Sequence, residues 1–355
     1  SRDRKRGTLQ IEIGLLTTKD GCPVAVEVFE GNTGEPATVA AQVEKVRGRF
    51  GLERVVMVGD RGMLTEARIR EDLASREGVS WLTSLRAPAI RKLVAAGLLG
   101  RSLFDETDLA EIRSPDFPGE RLVACRNPLL ADERARKRED LLNATERELE
   151  KIRAATQRAR RPLRGADKIG MRVGKEVGRY KMAKHFEIRI TETELAYERK
   201  DDAIAQEAAL DGIYVIRTDL PQEEMSVDEA VTTYKRLSVV ERAFRCMKSM
   251  DLKVRPIHHR KEERVRAHVF VCMLAYYVEW HMRSALAPML FEDDDKAGAR
   301  VERTSPVSKA KRSRSALAKA ATKRTSEGGP VHSFQTVLAD LATIVRNRVR
   351  PPGVP

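Results

Sequence analysis

Residues 54–62, RVVMVGDRG, combine a short apolar run with a glycine-rich turn. The apolar residues 55–58 are typical of a short strand that is buried on both faces, and the Gly-Asp-Arg-Gly that follows ends the strand in a turn. Asp60 then stands at the carboxyl edge of a sheet, where α/β proteins commonly build their sites. Aspartate and glycine are also ordinary turn formers, so a purely structural role for Asp60 stays open.

The segments on either side of this strand predict an α/β fold. Alternating apolar residues over 8–17 and 23–29 predict a hairpin. Helical spacing predicts helices over 35–51 and roughly 64–76, and 79–85 has the composition of a further strand. The resulting order of strand, strand, helix, strand, helix and strand indicates a sheet flanked by helices.

After residue 85 the chain changes character. Residues 86–210 contain strand-like pieces at 121–125 and 185–191, on either side of a long helix over 131–161. The charges of this helix far outnumber its leucines, a pattern typical of a solvated helix. We interpret the region as an insertion with one projecting helix.

The rest of the chain returns to regular structure. A strand at 212–218 is followed by a helix that begins at the capping-box pattern of Ser226 and runs past Lys248, and by an apolar helix over about 262–287. Residues 296–328 contain ten Lys or Arg residues against two Glu and few large apolar residues, which is typical of disorder. This segment is either a nonspecific DNA contact or a solubilising linker.

Five segments follow from these patterns. They are the first part of the core (1–85), the insertion (86–210), the second part of the core (211–290), a basic disordered linker (291–330), and a C-terminal helix and tail (331–355).

The overall composition narrows the class of protein. The 355 residues include 66 basic and 53 acidic ones, and the net charge of +13 points to a polyanionic partner, with nucleic acid as the first candidate. The four cysteines are scattered without zinc spacing, so we expect reduced thiols in a cytoplasmic protein. The longest apolar run, 269–278, is too short to span a bilayer.

Residues 234–248, YKRLSVVERAFRCMK, place four polar side chains on one stripe of a helix. At about 100° per residue, Tyr234, Arg245 and Lys248 fall within roughly 40° of Glu241. One interpretation is a solvated helix in which Glu241 and Arg245 form a pair worth a few tenths of a kcal/mol. The other is a metal ligand at Glu241, with the neighbouring side chains on phosphates. The helix alone slightly favours the first interpretation.

Considered together, Asp60 and Glu241 favour the second interpretation. An aspartate at a strand end and a glutamate on a later helix have the order needed to bring carboxylates together for divalent-metal phosphoryl transfer. Hard oxygen ligands suit Mg²⁺, and two ions about 3.5–4 Å apart can activate the attacking oxygen and stabilise the leaving one. A basic protein with such a site would act on nucleic acid.

Three stretches resemble DDE transposases of the insertion-sequence-4 type, whose catalytic core is ribonuclease-H-like. They are GCPVAVEVFEGNTGEPAT (21–38), VVMVGDRGM (55–63) and YKRLSVVERAFRCMKSMDLKVRPIHHR (234–260). The family signature in the last stretch is Tyr, two residues, Arg, three residues, Glu, six residues, Lys. Tyr234, Glu241 and Lys248 match it, while Leu237 stands at the arginine position. The resemblance covers about residues 1–290.

The resemblance implies a ribonuclease-H-like mixed sheet flanked by helices, with a β-rich and helical insertion before the Glu-bearing helix. It implies a cut-and-paste transposase that cleaves transposon ends and joins the resulting 3′-hydroxyl to target DNA. Asp60 and Glu241 would be the second and third acidic ligands of Mg²⁺, with Mn²⁺ as a substitute. Tyr234, Arg245 and Lys248 would contact the DNA backbone.

The partner that the resemblance implies is double-stranded DNA, both transposon ends and target, within the nucleoid of the cytoplasm. Assembly into a homo-oligomer on DNA stays open, and a membrane partner is not expected.

In this fold the first acidic ligand lies on a central strand, which should precede the hairpin at 8–29. SRDRKRG at 1–7 has no strand character, and Asp3 is a poor substitute for that ligand. We therefore expect a truncated copy in which the first, central strand and the first catalytic aspartate are absent, and whose activity as an enzyme is uncertain. The alternatives are a catalytically inactive DNA-binding remnant and a stand-alone metal-dependent nuclease of the same fold.

Overall fold

The computed structural model describes residues 9–34, 38–104, 107–250, 252, 254–295, 298–299, 305–307 and 311–345. Asp3 and residues 35–37 of the first predicted helix therefore lie outside the described residues. The chain divides into two compact units: the first joins 1–83 to 218–355, and the second is 84–217.

The first unit opens with the predicted hairpin. Strands β1 (Ile11–Thr17) and β2 (Pro23–Glu30) pair antiparallel and form a two-stranded sheet of their own. The turn between them is closed by backbone hydrogen bonds from Thr18 N to Cys22 O (2.8 Å) and from Gly21 N to Thr18 O (3.0 Å). The period-two apolar pattern therefore predicts this hairpin correctly.

The next part of the first unit contains the strand that leads into Asp60. In chain order it has α1 (Val39–Phe50), β3 (Val55–Val58), a short helix α2 (Glu66–Arg68) that continues as a π-helical turn (Ile69–Leu73), and β4 (Val79–Ser84). Strands β3 and β4 run parallel. The helices pack on them through a buried cluster of Val39, Val43, Leu64, Ile69, Leu73, Val79 and Trp81.

The second unit holds the following elements. In chain order they are α3 (Ala87–Ala95), β5 (Leu109–Ile112), β6 (Arg121–Arg126), α4 (Pro128–Thr156), α5 (Ala166–Tyr180), β7 (Phe186–Ile190), β8 (Leu195–Arg199), α6 (Asp201–Ala208) and β9 (Ile213–Thr218).

Five strands form a mixed sheet in the order β3-β4-β9-β6-β5. The β3–β4 pair is parallel and the β5–β6 pair is antiparallel. The predicted mixed α/β fold with helices is therefore confirmed at this level. One detail differs: the strand predicted at 121–125 within the insertion is β6, and it belongs to this sheet.

The long helix α4 does not project over its whole length. Its second half packs on α5 and on the antiparallel hairpin β7–β8 through a buried cluster made of Leu142, Leu149, Ile152, Ile169, Val173, Val177, Met182, Phe186 and Leu195. Arg199 of β8 also donates hydrogen bonds to Glu139, Asn143 and Glu146 of α4. The projecting helix was therefore a wrong prediction for this half, because one narrow apolar stripe among many charges is enough to anchor it.

The remaining elements belong to the first unit. They are α7 (Val227–Lys235), α8 (Leu237–Arg245), a π-helical turn (Cys246–Met250), α9 (Glu262–Ala285), α10 (Arg314–Thr322) and α11 (Phe334–Ala342). Helix α9 and the π-helical turn pack against the hairpin through a buried cluster that includes Val28, Ala243, Met247, Val269, Met273 and Tyr276. None of the described helices is long and apolar enough to cross a membrane.

The predicted disordered linker over 291–330 contains a folded helix, α10. The Ser313 hydroxyl accepts a backbone N–H of its first turn at 3.1 Å. Lys319 is only 4% exposed, because its ammonium donates to two backbone carbonyls at 3.0 Å and pairs with Asp294 at 3.1 Å. The prediction of disorder is thus wrong for residues 314–322. Composition alone does not indicate that a lysine of this segment is buried and paired.

Candidate metal and DNA site

Asp60 lies in the turn directly after β3, and its side chain is held by the backbone. Oxygen Oδ1 accepts hydrogen bonds from the amides of Gly62 and Met63, both at 2.8 Å. The side chain is exposed, and Oδ2 has no hydrogen-bond partner among the described residues. Two backbone donors on one oxygen fix the orientation of the carboxylate and leave the other oxygen to face a ligand.

The glycine before Asp60 brings this turn close to the core. Gly59 donates its amide to Leu82 O of β4 at 3.1 Å, which continues the pairing of β3 beyond its last residue. A Cβ at Gly59 would lie 2.8 Å from Cγ of the buried Leu64. Glycine is therefore required here for steric reasons, and it sets the position from which the carboxylate projects.

The segment that carries Glu241 is not one continuous helix. Helix α7 ends at Lys235 and α8 begins at Leu237, with Arg236 between them. The amide of Val239 donates to Arg236 O at 2.8 Å, and the hydroxyl of Ser238 donates to Lys235 O at 2.8 Å. These bonds tighten the chain into a turn, since the serine hydroxyl takes a carbonyl that a continuous helix would use.

This break changes the predicted polar stripe. Tyr234 lies on α7, Arg245 ends α8, and Lys248 lies in the π-helical turn. The rotation of 100° per residue therefore holds only between Glu241 and Arg245. The predicted single helix from Ser226 past Lys248 is wrong in this respect, although Ser226 does form the expected capping box.

The carboxylate of Glu241 is exposed on α8, and it forms no hydrogen bond or ion pair with any residue that the structure describes. The ion pair with Arg245, which one of the two interpretations requires, is absent from the described pairs. The opposite side of the segment is buried through Ala243, Cys246 and Met247. The fold therefore holds α8 firmly while leaving its carboxylate available to a ligand.

A buried ionic group fixes the end of this segment. Glu279 of α9 is 5% exposed, and it accepts hydrogen bonds from Cys246 Sγ at 3.2 Å and from Arg283 Nε at 2.6 Å. Tyr276 lies in the same region, where burial raises its pKa to about 12. A carboxylate paired in this way is stable in the core, and it ties the π-helical turn to α9.

Lys248 is exposed and lies over an aromatic ring. Its ammonium stands 5.3 Å from the centroid of the Phe244 ring, one turn earlier on the segment. The ring face attracts the ammonium and so restricts where it lies, while the side chain stays exposed to solvent. The structure thus leaves the positive charge of Lys248 available to an anion.

Asp60 and Glu241 meet one requirement of a divalent metal site, the type of ligand, but the structure does not show a complete set of ligands among the residues that it describes. Asp60 and Glu241 are both exposed carboxylates of the first unit, and hard oxygen ligands of this kind suit Mg²⁺. No hydrogen bond or ion pair joins them. Within the described part of the chain, no three acidic, histidine or cysteine side chains converge as a metal site would require.

Comparison with known proteins now identifies the class. A family model described as "Transposase DDE domain" matches residues 2–278. The chain belongs to the DDE transposase family. Searches of the curated proteins and of the solved structures find no match.

Membership of the DDE transposase family confirms the predicted class of protein. It implies DNA as the partner, and DDE transposase domains depend on divalent metal ions. The insertion-sequence-4 type, the choice of Mg²⁺ and the roles of the individual residues stay predictions.

Proposed function

We propose that this DDE transposase is of the cut-and-paste, insertion-sequence-4 type, and that Asp60 and Glu241 are two of its metal-binding carboxylates. The observation that carries the proposal is the pair of exposed carboxylates. One is oriented by two amides at 2.8 Å, and the other lies on an anchored helix without an ion pair to any described residue. Mg²⁺ is the proposed ion, with Mn²⁺ as a substitute.

The reaction we propose cuts transposon ends to leave a 3′-hydroxyl and then joins that hydroxyl to target DNA. A bound divalent ion would neutralise charge on the phosphodiester and polarise the attacking oxygen. The chain's own contribution is orientation: the turn after β3 presents Oδ2 of Asp60, and α8 presents the carboxylate of Glu241. Two ligands on rigid supports lower the cost of ordering the site.

Three further side chains are proposed to hold the DNA backbone. Arg245 at the end of α8 offers a planar fork to a phosphate, and Lys248 offers a point charge held over the Phe244 ring. Tyr234 on α7 would donate its hydroxyl to a phosphate oxygen. These contacts would set the register of the DNA without reading its sequence.

Replacing Glu241 by Gln tests the proposal. The full chain is incubated with Mg²⁺ or Mn²⁺ and duplexes that carry the repeats flanking its gene, and cleavage and joining are followed on gels. We expect E241Q to lose both reactions by at least about a hundredfold, because the amide is a poor metal ligand. Binding of the same duplex should stay within about threefold of wild type.

The matched control for this test is Glu263→Gln on α9, another exposed glutamate without a described ion pair. It should leave both cleavage and binding unchanged. Full cleavage by E241Q, or loss of DNA binding together with cleavage, would refute a metal-ligand role for Glu241.

A DNA-binding remnant without catalysis is the second candidate. It is favoured by one observation: no group of three acidic, histidine or cysteine side chains converges among the described residues. In the same assay such a protein would bind DNA with strong salt dependence and cut nothing. A third outcome, hydrolysis without joining, would indicate the nuclease alternative.

A further inference from the structure

Helix α5 of the second unit carries a stripe of positive charge. Lys168, Arg172, Lys175 and Arg179 are all exposed, and their spacing of four, three and four residues keeps them within about 60° of one another on the helix. At about 1.5 Å per residue the stripe is about 16 Å long. It therefore presents four cations in a row to solvent.

Most of these four side chains have no ion-pair partner among the residues that the structure describes. The side chains of Lys168, Arg172 and Lys175 form no hydrogen bond or ion pair with any described residue. Arg179 approaches Glu176 at 3.6 Å and lies 5.3 Å from the centroid of the Tyr180 ring. The cations of α4 differ in this respect, because acidic residues alternate with them along that helix.

The stripe is held rigidly. The opposite side of α5 is anchored in the core of the second unit through Ile169, Val173 and Val177, each no more than 5% exposed. Apart from the helix backbone and the adjacent residues, no described atom lies within 4 Å of where a Cβ would stand at Gly174 or Gly178. A large ligand would thus meet a fixed row of cations on an open surface.

The segment between α4 and α5 adds further positive charge next to this stripe. Arg158, Arg160 and Arg161 are exposed and form no ion pair in the described part of the chain. Residues 157–185 contain ten Lys or Arg residues and only two acidic ones. This short segment is therefore the source of much of the net charge of +13.

We propose that this face of α5, together with the arginines that precede it, binds the phosphodiester backbone of duplex DNA. A length of about 16 Å corresponds to about five phosphate steps of one strand at ~3.4 Å each. Met171 is the one large apolar side chain exposed on described α5, so the apolar face that membrane binding needs is missing. The proposal rests on the proposed function for its choice of DNA, and it places a second contact surface outside the unit that holds Asp60 and Glu241.

The test measures binding of the full chain to a labelled duplex of random sequence, in EDTA so that metal ligands do not contribute. The variant is K168Q/R172Q/K175Q. The slope of log affinity against log salt should fall by about three, one for each lost phosphate contact. Affinity at 0.1 M salt should fall at least about tenfold, by the same factor on random and transposon-end duplexes.

The matched control is R134Q/R136Q/K137Q, which removes the same charge from the mixed-sign, exposed first half of α4. It should change the slope by less than about one. Circular dichroism should show that both triple variants keep the wild-type helix content, since all six side chains are exposed.

Equal affinity of the α5 variant and wild type, or equal losses in both variants, would overturn the proposal and leave the Glu241 assay untouched. Tighter binding to anionic vesicles than to duplex, with the α5 variant losing only vesicle binding, would also overturn it. If the wild-type chain bound no duplex, both the proposed α5 surface and the choice of DNA as the partner would be refuted. Binding that depends on α5 without any cleavage would uphold the surface and refute only the proposed transposition reaction.

Discussion

Asp60 and Glu241 are held in different ways by the fold. Two backbone amides at 2.8 Å orient the carboxylate of Asp60, whereas that of Glu241 has no described partner and is positioned only by its helix. An unpaired exposed carboxylate adds little to stability. Replacement of Glu241 should therefore weaken binding of the metal ion and leave the free energy of unfolding nearly unchanged.

The buried side chain of His185 should make the free energy of unfolding depend on pH. It is 1% exposed, and burial lowers its pKa, an effect that nearby Glu207 partly opposes. Since the unfolded chain binds a proton near pH 6.5 and the folded chain resists it, the free energy of unfolding should fall as the pH drops below about 6.5.

Urea unfolding of the full chain at pH 5.5 and 7.5 measures this effect. A His185→Asn variant should be less stable at pH 7.5 but should lose less stability between the two pH values than wild type does. The same pH dependence in both proteins would show that His185 is not responsible.

At the scale of elements, the segment α8 with its π-helical turn depends on Glu279. Replacing Glu279 by Ala would remove the acceptor of Cys246 and leave Arg283 with Glu292 as its partner. Because Arg283 is partly exposed, we expect a loss of about 2 kcal/mol in the free energy of unfolding, below the 3–5 of a fully buried pair.

Urea denaturation followed by circular dichroism measures this loss. Glu292→Ala is the control, since it removes the more exposed partner of the same arginine and should cost less than about 1 kcal/mol. Equal losses in the two variants would contradict an anchoring role for Glu279.

The strands were predictable from sequence because their signal is local. The alternation over 8–17 and the apolar run at 55–58 each fix a strand, and β1 and β3 appear within a few residues of those positions. The second half of α4 was harder, since its stripe of Leu142, Leu149 and Ile152 is sparse among charges. Its packing depends on partners that are distant in the sequence.

The candidate site was predictable only in part. The turn that presents Asp60 follows from Gly59 and Gly62, but the break at Arg236 does not follow from helical periodicity. Ser238 was the available signal, because its hydroxyl competes for a helix carbonyl. The stripe on α5 was missed because exposure and the absence of ion pairs emerge only from the folded chain.

In the whole molecule, the proposed metal site and the proposed DNA-binding surface lie in different units. The first unit holds Asp60 and Glu241, and the second holds the basic face of α5. The matched transposase domain, 2–278, includes all of these residues. The cations of α5 would raise the affinity for DNA and make it depend on salt, while the two carboxylates would make DNA cleavage depend on a metal ion.

Iron-catalysed cleavage of the polypeptide reports whether Asp60 and Glu241 hold one metal site. Fe²⁺ is bound in place of Mg²⁺, and ascorbate with peroxide generates radicals that cut the backbone next to the ion. We predict cuts beside residue 60 and beside residue 241, both suppressed by excess Mg²⁺ and both lost in either D60N or E241Q. Cuts at only one of the two positions, or cuts that survive both replacements, would show that Asp60 and Glu241 do not share a metal site.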